Sequence, residues 1–193
     1  MIYFFILLPL LGLAATDCAH VKNVYRTQIS RAILLALVLF AGLRNETGTD
    51  WIAYREIYSN FLESARVEVL YRLLNNGFSS TGIHYNSFLL CINLLSLSLI
   101  VVSIRSQSKY FFVALLIYFC DLYFYYNLSG QRQAVAFGLT TAAIALAANK
   151  KHIECFCLIL IATGFHITAL TALLVLVIPR EQLRSHHLRC QPS

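Results

Sequence analysis

Charge is scarce in this chain: 12% of its 193 residues are Asp, Glu, Lys or Arg, where a soluble domain carries roughly 25%. Together with 59% hydrophobic residues and a mean hydropathy of +0.67, that scarcity excludes an ordinary soluble domain and points to a membrane protein. The nine acidic residues form no carboxylate cluster of the kind that holds a metal ion, and no metal or cofactor is expected. The 15 Lys and Arg are scattered through connecting segments. A basic stripe interleaved with aromatics is missing, and with it any nucleic-acid surface. The opening "MIYFFILLPLLGLAATDCAH" has no basic n-region, and Asp17 directly precedes Cys18. The first weighs against a signal peptide and the second against a lipoprotein site, and a retained first span is expected. No convincing internal repeat stands out, which speaks against the repeat architecture of many transporters.

Cysteine is present but not arranged for chemistry. The six cysteines lie mostly in apolar segments, and Cys155 and Cys157, two apart on a helix, face different ways. They read as small buried hydrophobes. The tail "HHLRC" offers too few donors to hold a metal.

What is there in abundance is apolar sequence. It predicts an all-α, polytopic transmembrane bundle of about six spans, near residues 2–16, 29–43, 85–104, 110–126, 133–148 and 153–178. These form one transmembrane domain over residues 1–180, followed by a polar tail at 181–193. Alternating spans place Lys22, Lys109, Lys150, Lys151, Arg26, Arg31 and Arg105 on one side, which the excess of basic residues marks as cytoplasmic. The loop 44–84 is then external and predicts two short interfacial helices. One presents Trp51, Tyr54, Tyr58, Phe61 and Leu62 on a single face. The other starts at Glu68 and ends at Asn75, Asn76 and Gly77, as a C-cap would. The same alternation puts the tail outside with Arg180, Arg184 and Arg189, against the charge rule.

Polar residues at the outer ends carry the candidate chemistry. Asp50 and Tyr54, four apart, lie together near Arg44 at the mouth of the second span. Glu68 either accepts hydrogen bonds from sugar hydroxyls, pairs with an arginine, or is a solvated first-turn acid. Arg132 sits at the outer N-terminus of the fifth span, where unpaired N–H groups favour an anion, unless it merely anchors the helix by snorkelling. Ala134, Gly138 and Ala142 recur every four residues and make a flat face for close helix packing. Tyr118, Tyr123, Tyr125 and Tyr126 form an aromatic belt or a sugar-stacking surface. Asp121 and His166 are ionisable groups within spans, His166 near the middle of the last, with Gly164 as a kink site. "NET" at Asn45 and "NLS" at Asn127 match the short glycosylation pattern, which chance explains.

Four blocks in order resemble the EpsG-like branch of the Wzy-type polysaccharide polymerases: "FAGLRNETGTDWIAY", "EVLYRLL", "GQRQAVAFGL" and "FHITAL". The family's R, G-x-D and Y fall at Arg44, Gly48, Asp50 and Tyr54, and its E falls at Glu68. Its R-Q-x-x-A falls at Arg132, Gln133 and Ala136, and its F-H-x-[ST]-A at Phe165, His166, Thr168 and Ala169. The resemblance implies a multi-pass protein of the bacterial cytoplasmic membrane. It would be a glycosyltransferase that moves a growing glycan from undecaprenyl pyrophosphate to a lipid-linked repeat unit on the outer face. Its partners would be undecaprenyl-pyrophosphate-linked glycans, membrane lipids and other polysaccharide assembly proteins. The implied roles are pyrophosphate binding by Arg44 and Arg132, proton abstraction by Asp50 or His166, and substrate binding by Tyr54, Glu68 and Gln133. Members of the family continue through further spans beyond the last block, so the resemblance also implies a C-terminally truncated member, with its activity affected accordingly. Two alternatives stand beside this reading: a transporter of the same envelope pathway, in which Asp121 and His166 relay protons, and a non-catalytic membrane subunit that packs through the Gly138 face.

Overall fold

The computed structural model describes residues 3–19, 24–60 and 67–177, and every described regular element is helical. In chain order these are α1 (Phe4–Cys18), α2 (Arg26–Gly42), α3 (Trp51–Ser59), α4 (Val69–Ser80), α5 (Tyr85–Gln107), α6 (Phe111–Tyr126), α7 (Gln131–Ala148) and α8 (His152–Phe165). A 3₁₀ helix (Ile167–Leu176) follows. Phe61, Leu62, Glu63, Arg66, Lys22 and the tail 181–193 lie outside the described residues.

Among the described residues α5 alone qualifies by length and apolarity as a membrane crossing, while α1, α6, α8 and the 3₁₀ helix are shorter apolar elements. The distribution of side chains supplies a second sign. Phe5, Leu8, Leu35, Leu94, Val102, Ile117, Ile153 and Leu174 are exposed, whereas Asn93, Ser96, Ser103, Asn127 and Gln131 are buried. Lipid rewards this arrangement, since hydrocarbon solvates the outward Leu and Phe while the polar groups pair with one another inside. Asn127 is the centre of such a set: its Nδ2 donates to Asn93 Oδ1 at 2.9 Å and to Ser96 Oγ at 3.0 Å, and its Oδ1 accepts from Tyr118. The side chain is fully buried, so the "NLS" sequon is a packing element.

The bundle has two ends with different chemistry. At one, Asp17 is buried, accepts the Phe112 N–H at 2.6 Å and pairs with Arg26 at 3.0 Å, and Arg26 also donates to the Lys109 carbonyl. Arg105 donates to Ser30 Oγ at the same end. At the other end Tyr3 packs edge-on against Phe40 and Phe124, and α3 and α4 cover the start of α5. Helix α7 runs through the middle, packed on α5 and α8. A Cβ on Gly138 would stand 3.0 Å from the Ser96 carbonyl oxygen, so the small residue is what lets α5 approach. The buried face of α7 is Ala134, Val135, Gly138, Leu139 and Ala143, close to the predicted four-residue repeat.

Four expectations are corrected. The sixth predicted span, 153–178, is not one helix: α8 ends at Phe165, His166 is extended (φ −158°, ψ 124°), and the chain reverses. The 3₁₀ helix then runs back beside α7, with Ala169 packed near Ala136 and Ala172 and Leu176 near Ala143 and Ala147. His166 is therefore at the apex of a turn, not at mid-span. Second, the aromatic face of α3 does not lie on a membrane surface, because Trp51, Tyr54 and Tyr58 are buried against Tyr71, Tyr85 and Phe88. Third, α4 continues past Asn75, Asn76 and Gly77 to Ser80, and Asn75 is buried, donating to the Ile57 carbonyl at 3.1 Å instead of capping. Fourth, Tyr118 and Tyr123 are interior: Tyr123 donates to the Leu37 carbonyl at 2.7 Å, and only Tyr125 of the four is exposed as a belt requires.

Candidate functional site

The site forms where α4, α7 and α8 bring their ends together. Glu68 holds the N-cap position of α4, in extended backbone, so its side chain is free to turn away from its own helix. Arg132 lies in the first turn of α7, after the N-cap Gly130. His166 occupies the reversal after α8, and the break is what turns its ring toward α7. A Cβ on Gly164 would meet Leu70 at 2.6 Å, so the glycine lets α8 close on α4 and brings Glu68 within reach.

Three residues from three segments then share one carboxylate. Glu68 Oε2 pairs with Nη1 of Arg132, and Oε1 lies 2.9 Å from Nδ1 of His166. A carboxylate can only accept, so Nδ1 carries the proton and Nε2 is left as the acceptor. Nε2 faces the side-chain amide nitrogen of Gln133 at 3.5 Å. Burial would push the Glu68 carboxyl up, but the backbone hydrogen bond it accepts and the Arg132 guanidinium outweigh this and hold it below the ordinary carboxylate range. The group is thus an anion at neutral pH, as the pairing requires.

Tyr54 closes the other side of Arg132. Its hydroxyl accepts from Nε at 3.2 Å, and the guanidinium carbon lies 5.8 Å from its ring centroid. Among the described residues Nη2 of Arg132 has no hydrogen-bond partner. Behind this layer Tyr71 donates to Gln131 Oε1 at 3.0 Å, and Gln131 Nε2 reaches the Tyr85 hydroxyl at 2.8 Å. Sequence patterning alone does not single out Gln131, Tyr71 and Tyr85. The signal they carry is the polar run Gln131 to Gln133 at the head of an apolar helix and the tyrosines at 71 and 85 flanking a loop.

Arg44 is placed apart from Arg132. It is buried at the end of α2, with Nη1 on the Asn127 carbonyl, while Nε and Nη2 have no partner among the described residues. Burial lowers its affinity for the proton, and the surrounding Tyr85, Tyr123, Tyr71 and Tyr54 hydroxyls act in the opposite direction. Gly48, at φ 101°, is required in this loop because a Cβ there would stand 1.8 Å from the Leu128 carbonyl oxygen. Asp50 holds the N-cap position of α3 without a side-chain cap bond, is exposed, and touches neither Glu68 nor His166. Of the predicted set, the structure joins Tyr54, Glu68, Arg132, Gln133 and His166 and leaves Arg44 and Asp50 outside that cluster.

Beside His166 a cleft of about 320 Å³ opens between α7 and the 3₁₀ helix, lined by Gln133, Phe137, Thr140, Tyr126 and Thr168 among others. Among the described residues no group of His, Cys, Asp and Glu is placed to hold a metal ion.

A helical bundle with lipid-facing apolar surfaces and a clasped ionic group at one end defines a membrane protein with a polar site at the bundle mouth. The family model for the EpsG family matches residues 29–188, and the chain belongs to that family. It is accordingly a membrane protein connected with polysaccharide biosynthesis. No curated protein and no solved structure matches the chain.

Proposed function

We propose that the chain is a glycosyltransferase of the bacterial cytoplasmic membrane that extends a lipid-linked polysaccharide at the outer face. The observation that carries the reading is the Glu68 carboxylate held between Arg132 and His166. It sets a base and a cation side by side, which is what glycosyl transfer from a pyrophosphate needs.

An acceptor sugar hydroxyl attacks the anomeric carbon of the donor glycan, forming the new C–O bond as the bond to pyrophosphate breaks. The proton leaves the hydroxyl for Nε2 of His166, while Glu68 holds Nδ1–H and stabilises the imidazolium that forms. The electron pair of the broken bond goes to the undecaprenyl pyrophosphate. Its added charge is met by Arg132 and by the first N–H groups of α7. His166 is preferred to Asp50 as the base because the one is oriented by a carboxylate and the other is exposed and unoriented. Gln133 and Tyr54 position substrate and arginine respectively.

In this reading α1, α2, α5, α6, α7 and α8 cross the bilayer, the 3₁₀ helix returns through it beside α7 and α8, and the loop 44–84 lies outside. The Asp17, Arg26, Arg105 and Lys109 group faces the cytoplasm with Lys150 and Lys151. The reversal at His166 directs the described chain, to Val177, back to that side. Polymer synthesis tests the function: a strain lacking its polymerase, complemented with this chain, should regain a glycan ladder that collapses to single repeat units with Arg132→Ala. A transporter would lose export with the same substitution while a separate enzyme went on polymerising.

A further inference from the structure

The cleft beside His166 has a character the ionic cluster does not share. Its wall is aromatic: the Tyr126 ring stacks on Phe137, centroids 4.8 Å apart and planes 19° from parallel. Its polar groups are neutral, namely the Gln133 amide and the hydroxyls of Thr140, Thr168 and Thr171, and among the described residues its lining holds no Lys, Arg, Asp or Glu. Among the described lining residues the titratable groups are His166, whose Nε2 faces Gln133, and the hydroxyls of Tyr125 and Tyr126. The nearest cation, Arg132, is not in the lining and has Nε and Nη1 committed to Tyr54 and Glu68.

We propose that this cleft is the acceptor-sugar subsite and that it selects an uncharged pyranose over a uronic acid. An aromatic wall suits the C–H face of a sugar ring, and amide and hydroxyl groups exchange hydrogen bonds with sugar hydroxyls at little electrostatic cost. A carboxylate entering the same space would lose its water without meeting a counter-ion, close to the fixed negative charge of Glu68. At about 320 Å³ the cleft is at the small end of ligand pockets, enough for about one or two rings and not a whole repeat unit. Selection therefore acts on the terminal acceptor residue and leaves the rest of the repeat unit unread. The proposal rests on the polymerase reading for the word acceptor, but the preference for neutral sugar stands on the lining alone.

The test uses the full chain in lipid nanodiscs and saturation-transfer NMR with two probes, a methyl glycoside of a neutral gluco-disaccharide and its terminal glucuronate counterpart. The neutral probe should bind at least about tenfold more strongly than the glucuronate. Tyr126→Ala should abolish that binding and Tyr126→Phe keep it, which separates loss of the wall from loss of the fold. Thr140→Arg should reverse the order of the two probes. Equal binding of both probes, no binding of the neutral one, or full binding by Tyr126→Ala would each overturn the proposal. If the wild-type chain makes a ladder in cells while both probes bind equally, the polymerase reading stands and the neutral subsite falls. A clear neutral preference with no ladder would keep the neutral-sugar site and remove the polymerase reading.

Discussion

Nδ1 of His166 lies 2.9 Å from Oε1 of Glu68, 98 positions earlier in the chain, and this contact fixes which ring nitrogen is free. With Nδ1–H held by a carboxylate, Nε2 is the acceptor and faces Gln133 and the cleft. Replacing Glu68 by Gln keeps the shape but removes the charge that steadies a protonated ring. Glu68→Gln should cut the polymerisation rate by about 10²-fold or more, in the range expected for loss of oriented general-base catalysis. Timed ladder growth in membranes would check this, and an unchanged rate would remove His166 from the proton path.

His166 and Asp50 are equal candidates for the base on sequence grounds. The structure makes them unequal, since Asp50 is exposed at the start of α3 and its carboxylate makes no described contact with Glu68 or His166. His166→Ala should therefore abolish chain growth, whereas Asp50→Asn should lower it less than tenfold. The comparison needs both variants at equal membrane abundance, and the opposite order would transfer the role to Asp50.

The pH dependence of stability follows from Glu68. Its folded value is depressed, so its contribution is complete above the unfolded value of about 4.3 and is lost as pH falls through the lower folded value. Melting temperatures in detergent should accordingly show no Glu68 contribution to any change between pH 8 and 5. Below about pH 4 the wild type should converge on Glu68→Gln, which lacks the titrating group. A constant gap between the two down to pH 3 would show that the ion pair does not stabilise the fold.

Gly48 tests the loop that carries Arg44. Alanine there would be strained at φ 101° and would collide with the Leu128 carbonyl. Gly48→Ala should cost about 1–3 kcal/mol or displace the loop, lowering both the melting temperature and the rate. A neutral outcome would mean that the loop has another conformation open to it.

The functional residues are more legible in the sequence than the backbone around them. Arg132 at a helix start and Glu68 before an apolar helix can be read because helix ends have residue-type signals that need no partner. The contact between Glu68 and His166 cannot, because only the reversal after Phe165 creates it. Residues 153–178 read as one apolar run, and hydropathy is the same whether such a run continues or folds back. The aromatic face of α3 is visible at the right spacing while its surroundings are not, since a periodic face reports that it is covered and not by what.

The reversal also makes the sharpest topological prediction. Helix α8 spans 14 residues, about 21 Å at 1.5 Å per residue, and the 3₁₀ helix returns 10 residues, about 20 Å at 2.0 Å each. Val177 should then lie at the same side as Lys151, with His166 at the opposite one. In a background with the native cysteines replaced, Lys151→Cys and Val177→Cys should both resist an impermeant maleimide added to intact cells. Thr168→Cys should react from outside. Labelling of Val177→Cys from outside would restore a single continuous span. The Glu68 to His166 contact would then need another geometry, because a helix continuing through residue 166 cannot present that ring to α4 and also place Ala172 and Leu176 against Ala143 and Ala147.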